Sequence, residues 1–365
     1  MALLIDTKKI RCLQIIPSLG FGGVETGVKN THQYLIKTKQ ISYILCEKIF
    51  DNHFKDNPFI IQTGNLSFKN PFHYFRIKSI LLKVIFKNKI NVVHISSRAP
   101  SFFYSSLIKK YKGIKLVTSF HNEYQQNGFL KSYYNRSLLK GDVLICNSYF
   151  VKKSILDNYK TNKKIEVIKR GIDTNYFKTS KIKSINTKLP IYIFNPSRVS
   201  SWKGHIQLLQ NFLIIQKSLD LKIIFLFISS HINKHELELD SFINKNKIDK
   251  SVQFLSPSND IKKYYLKSHL VINYSIRPEG FGRTISEALS MNIPAIAPNY
   301  GGTKEQLLKF NKKLLFQINS HSSLEKTLRY AIANHKEIAL KARKYVSDNY
   351  SLERMMKKTI NVYQK

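Results

Sequence analysis

The sequence predicts an α/β protein with two doubly wound parallel-sheet domains. Its 365 residues amount to about two domains by the usual length relation, and 43% apolar residues suffice for two ordinary cores. Both halves alternate short apolar runs with segments of helical periodicity, as parallel strands with crossover helices require. Between the halves, Lys178 to Lys188 (KTSKIKSINTK) is polar, charged and aperiodic, so the domains are expected at residues 1–180 and 181–345, followed by a terminal helix at 346–365.

In the first half, strands are expected at Cys12–Ile16, Tyr43–Cys46, Val92–Ile95, Lys115–Thr118 and Val143–Cys146. The first strand runs into Pro17–Glu25, a glycine-rich strand-to-helix turn in which Gly22 and Gly23 let a backbone approach a phosphate or a sugar closely; a plain turn is the alternative. Residues His73–Asn88 read as an amphipathic helix, with Tyr74, Ile77, Leu81 and Val84 on one face and Arg76, Lys83 and Lys87 on another. Its basic face suits either plain solvation or an anionic membrane surface. His94 and His121 each end a strand, where open α/β sheets bind ligands. A further helix is expected at Val151–Asn158.

The second half starts with a strand at Ile191–Phe194 that leads to Arg198 and Lys203 and then to a helix bearing Ile206, Leu209, Phe212 and Leu213. Strands follow at Ile223–Ile228 and Val252–Leu255. A last apolar run, His269–Asn273, precedes the most informative stretch, Ser275–Met291 (SIRPEGFGRTISEALSM). Ile285, Ala288 and Leu289 share one helical face there, so the stretch reads strand, loop, helix. Gly280 and Gly282 leave the loop free of side chains, and the N–H groups from Gly282 to Ile285 form the open first turn of a helix, a seat for a phosphate. Glu279 and Glu287 bracket that seat. Two closing helices are expected at Ser322–His335 and Glu337–Gln364.

Read as EGFGRTISEALSM-x2-PAIAP-x2-GG-x2-E, ending at Glu305, this stretch resembles the signature of the GT-B glycosyltransferases of family 4, which are retaining and use nucleotide sugars. Further segments resemble the family's motifs in the family's order. Gly22-Gly23-Val24-Glu25 is similar to its GG-x-E loop facing the donor, and Val117–His121 to its V-x-x-x-H. Glu166–Phe177 is similar to its NG-x-D-x-x-x-F, with Arg170 in place of the usual Asn, and Asn195–Gly204, containing Arg198 and Lys203, to its GRL-x3-KG. Ser256-Pro257 stands where a base-contacting glycine is usual, and Asn292 replaces the glycine before Pro294, a position whose left-handed backbone Asn tolerates.

The resemblance implies two Rossmann-like domains facing a cleft, the final helix returning to the first domain, and transfer of a hexose-type unit from a nucleotide diphosphate sugar to an acceptor hydroxyl with retention. Arg198 and Lys203 would clamp the diphosphate, assisted by the loop and first turn of Gly280, Phe281, Gly282, Arg283 and Thr284. Glu279 would bond the sugar hydroxyls, Glu287 the ribose, and His121 the sugar. Fixed cations stabilise a departing diphosphate without a metal, and no Asp-x-Asp motif is present, so neither metal nor cofactor is expected. The acceptor is a glycan or glycolipid, such as lipopolysaccharide. An epimerase or hydrolase of the same fold and a polyanion-binding module are the alternatives.

Composition narrows the partners. The +37 formal charge is spread evenly, with 30 basic and 10 acidic residues in 1–180 and 30 and 13 in 181–365, as a Lys-, Ile- and Asn-rich composition produces without nucleic-acid binding. No aromatic-basic recognition motif accompanies it, so nucleic acid is not expected. One local excess stands out: from Asn57 to Asn122 no acid occurs among many lysines and arginines, a patch suited to anionic phospholipid. With no long apolar span, no signal-like N-terminus and three cysteines without metal or redox spacing, a cytoplasmic protein is expected, peripheral on the inner face of the membrane.

Overall fold

The computed structural model describes residues 9–20, 22–64, 66, 71–124 and 128–365. The chain divides into two compact units, the first comprising residues up to Gly171 together with Glu353–Lys365, the second Ile172–Leu352. The division thus falls at Gly171 rather than within the polar stretch Lys178–Lys188, which belongs to the second unit.

The first unit alternates β1 (Arg11–Leu19), α1 (Gly23–Lys37), β2 (Ile41–Ile49), β3 (Ile60–Gln62), α2 (Pro71–Lys87), β4 (Val92–Ile95), α3 (Arg98–Ile108), β5 (Lys115–Phe120), α4 (Phe129–Arg136), β6 (Val143–Cys146), α5 (Tyr149–Asn158) and β7 (Lys164–Val167). All seven strands are parallel, in the order β3-β2-β1-β4-β5-β6-β7. The inner strands are the ones expected, because apolar runs such as Cys12–Ile16 are buried on both faces. The two edges, β3 and β7, carry no such run. Their short, partly exposed segments, IIQ and KIEV, have the character of edge strands. Ser148 caps α5 by accepting from Val151 N–H at 3.1 Å.

The second unit follows with β8 (Ile191–Arg198), α6 (His205–Leu219), β9 (Ile223–Ile228), α7 (Lys234–Asn246), β10 (Val252–Leu255), α8 (Lys262–Lys267), β11 (Leu270–Ile272), α9 (Arg283–Ser290), β12 (Ala295–Pro298), α10 (Gly301–Phe310), β13 (Leu315–Phe316), α11 (His321–Ala333) and α12 (His335–Tyr350). Its sheet is again parallel, ordered β10-β9-β8-β11-β12-β13. Asn233 and Glu236 form a reciprocal capping box on α7. Asn292, at φ 55°, adopts the left-handed backbone expected where a glycine is usual.

The expected long helix Glu337–Gln364 is two helices. Ser351 is extended, because Ile172 docks beside it: Ile172 N–H donates to Tyr350 O at 2.8 Å and Leu352 N–H to Ile172 O at 3.0 Å. After this break α13 (Leu352–Gln364) buries Met355, Met356, Thr359, Val362 and Tyr363 as one stripe in the first unit. Residues 346–350 end α12 instead, so the segment grouping with the first unit starts at Glu353. Tyr363 reaches His94, whose Nδ1 lies 2.7 Å from the phenol oxygen while Nε2 lies 2.6 Å from Ser119 Oγ. Both ring nitrogens of His94 are satisfied in the core, as befits a structural histidine. All three cysteines are buried and none forms a disulfide, and burial pushes Cys12 and Cys46 up to about 12.

Candidate active site

In the second unit the site grows from the C-terminal end of β11. Three donors converge on one carboxylate oxygen, Glu279 Oε1: Lys203 Nζ at 2.6 Å, Ser275 Oγ at 2.5 Å and Asn273 Nδ2 at 2.9 Å. Its second oxygen, Oε2, has no hydrogen-bond donor among the described residues. The Lys203–Glu279 pair is largely buried, with side chains 17% and 14% exposed. Burial by itself would raise the Glu279 carboxyl; Lys203, Ser275 and Asn273 outweigh it and hold the group below its ordinary value. Lys203 is carried by a turn between β8 and α6 that lies on the loop after β11. Ile276 N–H donates to Trp202 O at 2.9 Å, and a Cβ on Gly204, at φ 66°, would fall 2.4 Å from Tyr274 O.

The glycines of the long motif are packing requirements. A Cβ on Gly302 would lie 2.3 Å from Gly280 O and 2.5 Å from Phe281 Cα, so α10 starts with its backbone directly against the 279–282 loop. Gly302 N–H donates to Glu279 O at 2.8 Å, and Gln306 Nε2 donates to Phe281 O at 2.5 Å and Gly282 O at 3.1 Å. Gln306, buried on α10, was not singled out from the sequence; it stands one residue past the motif's Glu305, a position with no chemical mark of its own. Gly282 takes φ 80° and is the N-cap of α9, with no side chain capping the helix. No side chain caps this first turn, and Ile285 N–H donates to Gly282 O at 3.2 Å, so the expected phosphate seat narrows to the N–H groups of Gly282 to Thr284.

Glu287 differs from Glu279. It is 8% exposed, and both its oxygens are engaged: Oε1 by Arg283 at 3.1 Å, Oε2 by the Tyr265 hydroxyl at 2.8 Å. Burial, and then the Glu287 charge, push the Tyr265 phenol far up. Arg198 is exposed at the end of β8, just after an irregularity in its pairing with β9. Within this unit the structure thus brings together Lys203, Glu279, Gly280, Phe281, Gly282, Arg283, Thr284 and Glu287, with Lys203 held by Glu279.

In the first unit His121 is bonded through both ring nitrogens, Nε2 to Ser96 O at 3.1 Å and Nδ1 to Arg170 Nη2 at 2.9 Å. These partners define the tautomer: Nε2 carries the proton and Nδ1 accepts from the guanidinium. Burial, then Arg170, then His94 hold His121 neutral far below its ordinary value. Arg170 is the residue by which the chain departs from the NG-x-D pattern, and Gly27 makes room for it, since a Cβ there would lie 2.2 Å from Nη1. These groups line a small cavity of about 40 Å³ together with Gln14 and Asn147, whose buried amide oxygens have no donor. Gly22 is the N-cap of α1 and Gly23 its first residue; neither lines that cavity. Below the turn, a buried Lys29–Asp51 pair at 2.6 Å, with Lys29 also donating to Gly20 O at 2.9 Å, anchors the loop. Sequence reading missed this pair, because a lysine inside a helix normally marks a solvated face.

The basic helix α2 buries Ile77, Leu81 and Val84, as its periodicity implies. Its outer stripe holds Phe72 (81% exposed), Phe75 (64%), Lys83, Phe86 and Lys87, aromatic and basic side chains together. Arg76 is not part of a free basic face, since its guanidinium donates to Thr63 O. Among the described residues no helix is long and apolar enough to cross a membrane.

This geometry, a strand, glycine loop and helix start flanked by a lysine and two carboxylates on a parallel Rossmann-like sheet, stands in a fold of the GT-B class. Family models agree: the one for glycosyl transferases group 1 matches residues 177–350, and the one for glycosyltransferase family 4 matches residues 21–176. The chain belongs to the group 1, family 4 glycosyltransferases and is an enzyme of the transferase class. Among solved structures it is similar to a glycosyltransferase from Rickettsia africae ESF-5, at 29% identity, 98% coverage of both chains and a TM-score of 0.84. The fold is shared with Anabaena Alr3699/HepE in complex with UDP-glucose (17% identity, 97% of this chain and 99% of that one, TM-score 0.80). It is shared too with the lipopolysaccharide outer core galactosyltransferase WaaB (13% identity, 96% and 98%, TM-score 0.73).

Proposed function

We propose that the enzyme transfers a hexose-type unit from a nucleotide diphosphate sugar, a UDP-hexose first among candidates, to a hydroxyl of a cell-surface glycan or glycolipid, with retention at the anomeric carbon. The observation that carries this reading is the Glu279 carboxylate, held through Oε1 by Lys203, Ser275 and Asn273 beside the open first turn of α9. The diphosphate sits on the N–H groups of that turn, with Arg198 and Lys203 supplying charge as the leaving group departs, so that no metal is called for. Glu279 Oε2 accepts from sugar hydroxyls, and Glu287, oriented by Arg283 and Tyr265, bonds the ribose. The shared fold with proteins described with UDP-glucose and as a lipopolysaccharide galactosyltransferase supports a UDP-hexose donor and a lipopolysaccharide-type acceptor.

His121 has a different part from the sugar contact implied by resemblance. With both ring nitrogens bonded to Ser96 and Arg170, it orients the Arg170 guanidinium. Acceptor delivery is proposed at an anionic membrane on the cytoplasmic side, through the 57–122 segment, where exposed Phe72, Phe75 and Phe86 add apolar anchors to Lys83 and Lys87.

The deciding experiment is a thermal-stabilisation screen of UDP-, GDP- and ADP-sugars, followed by product analysis with glycolipid acceptors. A donor at about 100 times its dissociation constant adds ~2.7 kcal/mol. Stabilisation by one donor, with sugar found on the acceptor in the donor's anomeric configuration, supports the reading; release of free sugar only, or inversion, refutes it.

A further inference from the structure

The second unit contains a larger cavity, of about 250 Å³, that belongs to none of the groups above except through one tyrosine. It lies at the opposite end of the sheet from the phosphate seat. His269 immediately precedes β11, and Asn292 and Ile293 precede β12, whereas Glu279 follows β11. Its size is just under the roughly 300 Å³ at which small-molecule pockets begin.

The lining has a definite chemistry. His335 is 4% exposed; its Nε2–H donates to His269 O at 2.9 Å, and its buried Nδ1 has no hydrogen-bond partner. That nitrogen is an acceptor awaiting a donor. His269 accepts from Tyr192 N–H on Nδ1 at 3.0 Å, so its Nε2 carries a proton and is a donor. Lys181 and Lys183 contribute two positive charges, and burial weakens the hold of Lys183 on its proton, as expected of an ammonium lacking an anion. Leu266, Met291 and Ile293 supply an apolar wall. Two lysines and an imidazole N–H match a phosphomonoester, whose charge is about −1.5 to −2 at neutral pH. The unpaired Nδ1 matches a hydroxyl, and the apolar wall the C–H face of a sugar ring.

We propose that this cavity binds a sugar phosphate as an effector, separate from the donor. Two routes tie it to the donor side. Tyr265 lines the cavity while its hydroxyl holds Glu287, and α9, which carries Glu287, runs directly into Met291 in the cavity wall. An occupant that shifts Tyr265 alters the ribose carboxylate, and the coupling is reciprocal. The binding half of the proposal stands whatever the donor site holds; the coupling half rests on the role proposed for Glu287.

The test is isothermal titration of the full chain with glucose 6-phosphate, with and without saturating UDP, using inorganic phosphate and glucose as partial probes. Glucose 6-phosphate should bind in the presence of UDP, at least tenfold tighter than either partial probe. Binding should weaken at least tenfold in Lys181→Ala/Lys183→Ala, a change confined to a loop, and also in His335→Phe. UDP affinity should shift at least threefold when glucose 6-phosphate is present, and this shift should vanish in the lysine variant. Failure of glucose 6-phosphate to bind at millimolar concentration, its displacement by UDP, or unchanged binding in the lysine variant overturns the site. A UDP affinity indifferent to bound glucose 6-phosphate overturns the effector role.

Discussion

The Lys203–Glu279 pair offers the sharpest test of the site, because it joins the cation proposed for the diphosphate to the carboxylate proposed for the sugar. Replacing Lys203 by Ala leaves a largely buried carboxylate with Ser275 and Asn273 as its remaining donors. A charge-assisted hydrogen bond is worth about 1.5–3 kcal/mol, and breaking a fully buried pair costs about 3–5 kcal/mol. With 17% and 14% exposure and two donors left behind, a loss of about 2–3 kcal/mol is expected for Lys203→Ala. Glu279→Gln should cost less, and the double variant should show a coupling of at least ~1.5 kcal/mol. The assay is built in: the chain has one tryptophan, Trp202, whose ring lies 4.0 Å from Lys203 Nζ, so its fluorescence in a urea titration follows the second unit. A coupling near zero would mean that the two side chains do not share a bond, and the proposed preorganisation of Glu279 would be wrong.

The two glutamates should differ in kinetics. Glu279→Gln should lower kcat more than tenfold with little change in donor KM, whereas Glu287→Gln, which also disturbs Arg283 and Tyr265, should mainly raise KM; the reverse pattern would invert their roles. Gly302→Ala should displace the 279–282 loop, because the new Cβ meets backbone at 2.3 Å, and should abolish UDP binding measured by titration while the first unit stays folded. Stability should fall on acidification below about pH 6.5, because burial lowers His94 and His205 to about 3 and His32 and His269 to about 4. For a histidine with a depressed folded value the unfolded chain binds more protons, so stability is lost as pH drops through the unfolded value. About 1 kcal/mol per histidine between pH 7 and 5.5 is expected, and a flat urea midpoint over that range would contradict it. Reversing Lys83 and Lys87 to Glu, or Phe72 and Phe75 to Ser, should remove salt-sensitive co-sedimentation with anionic vesicles while leaving UDP binding unchanged.

What the sequence by itself determined is local and periodic. Apolar runs announced the inner strands of the first sheet and β8 to β11 of the second, though not β12, and the residues Ser275–Met291 announced a glycine loop and a helix, because glycine conformation and helix-start chemistry are written in neighbouring residues. Tertiary structure decided the pairings. That Lys203 closes on Glu279, that Gln306 holds the carbonyls of Phe281 and Gly282, and that Arg170 takes the second nitrogen of His121 follow from contacts 76, 25, 24 and 49 residues apart in the chain. No period or spacing encodes such contacts. The break at Ser351 has the same origin: the helical pattern continues through it, and only the docking of Ile172, far away in sequence, draws those backbone groups out of the helix. Residue types set which hydrogen bonds and charges are possible, while burial and proximity, which exist only once the sheets are assembled, select the ones that form.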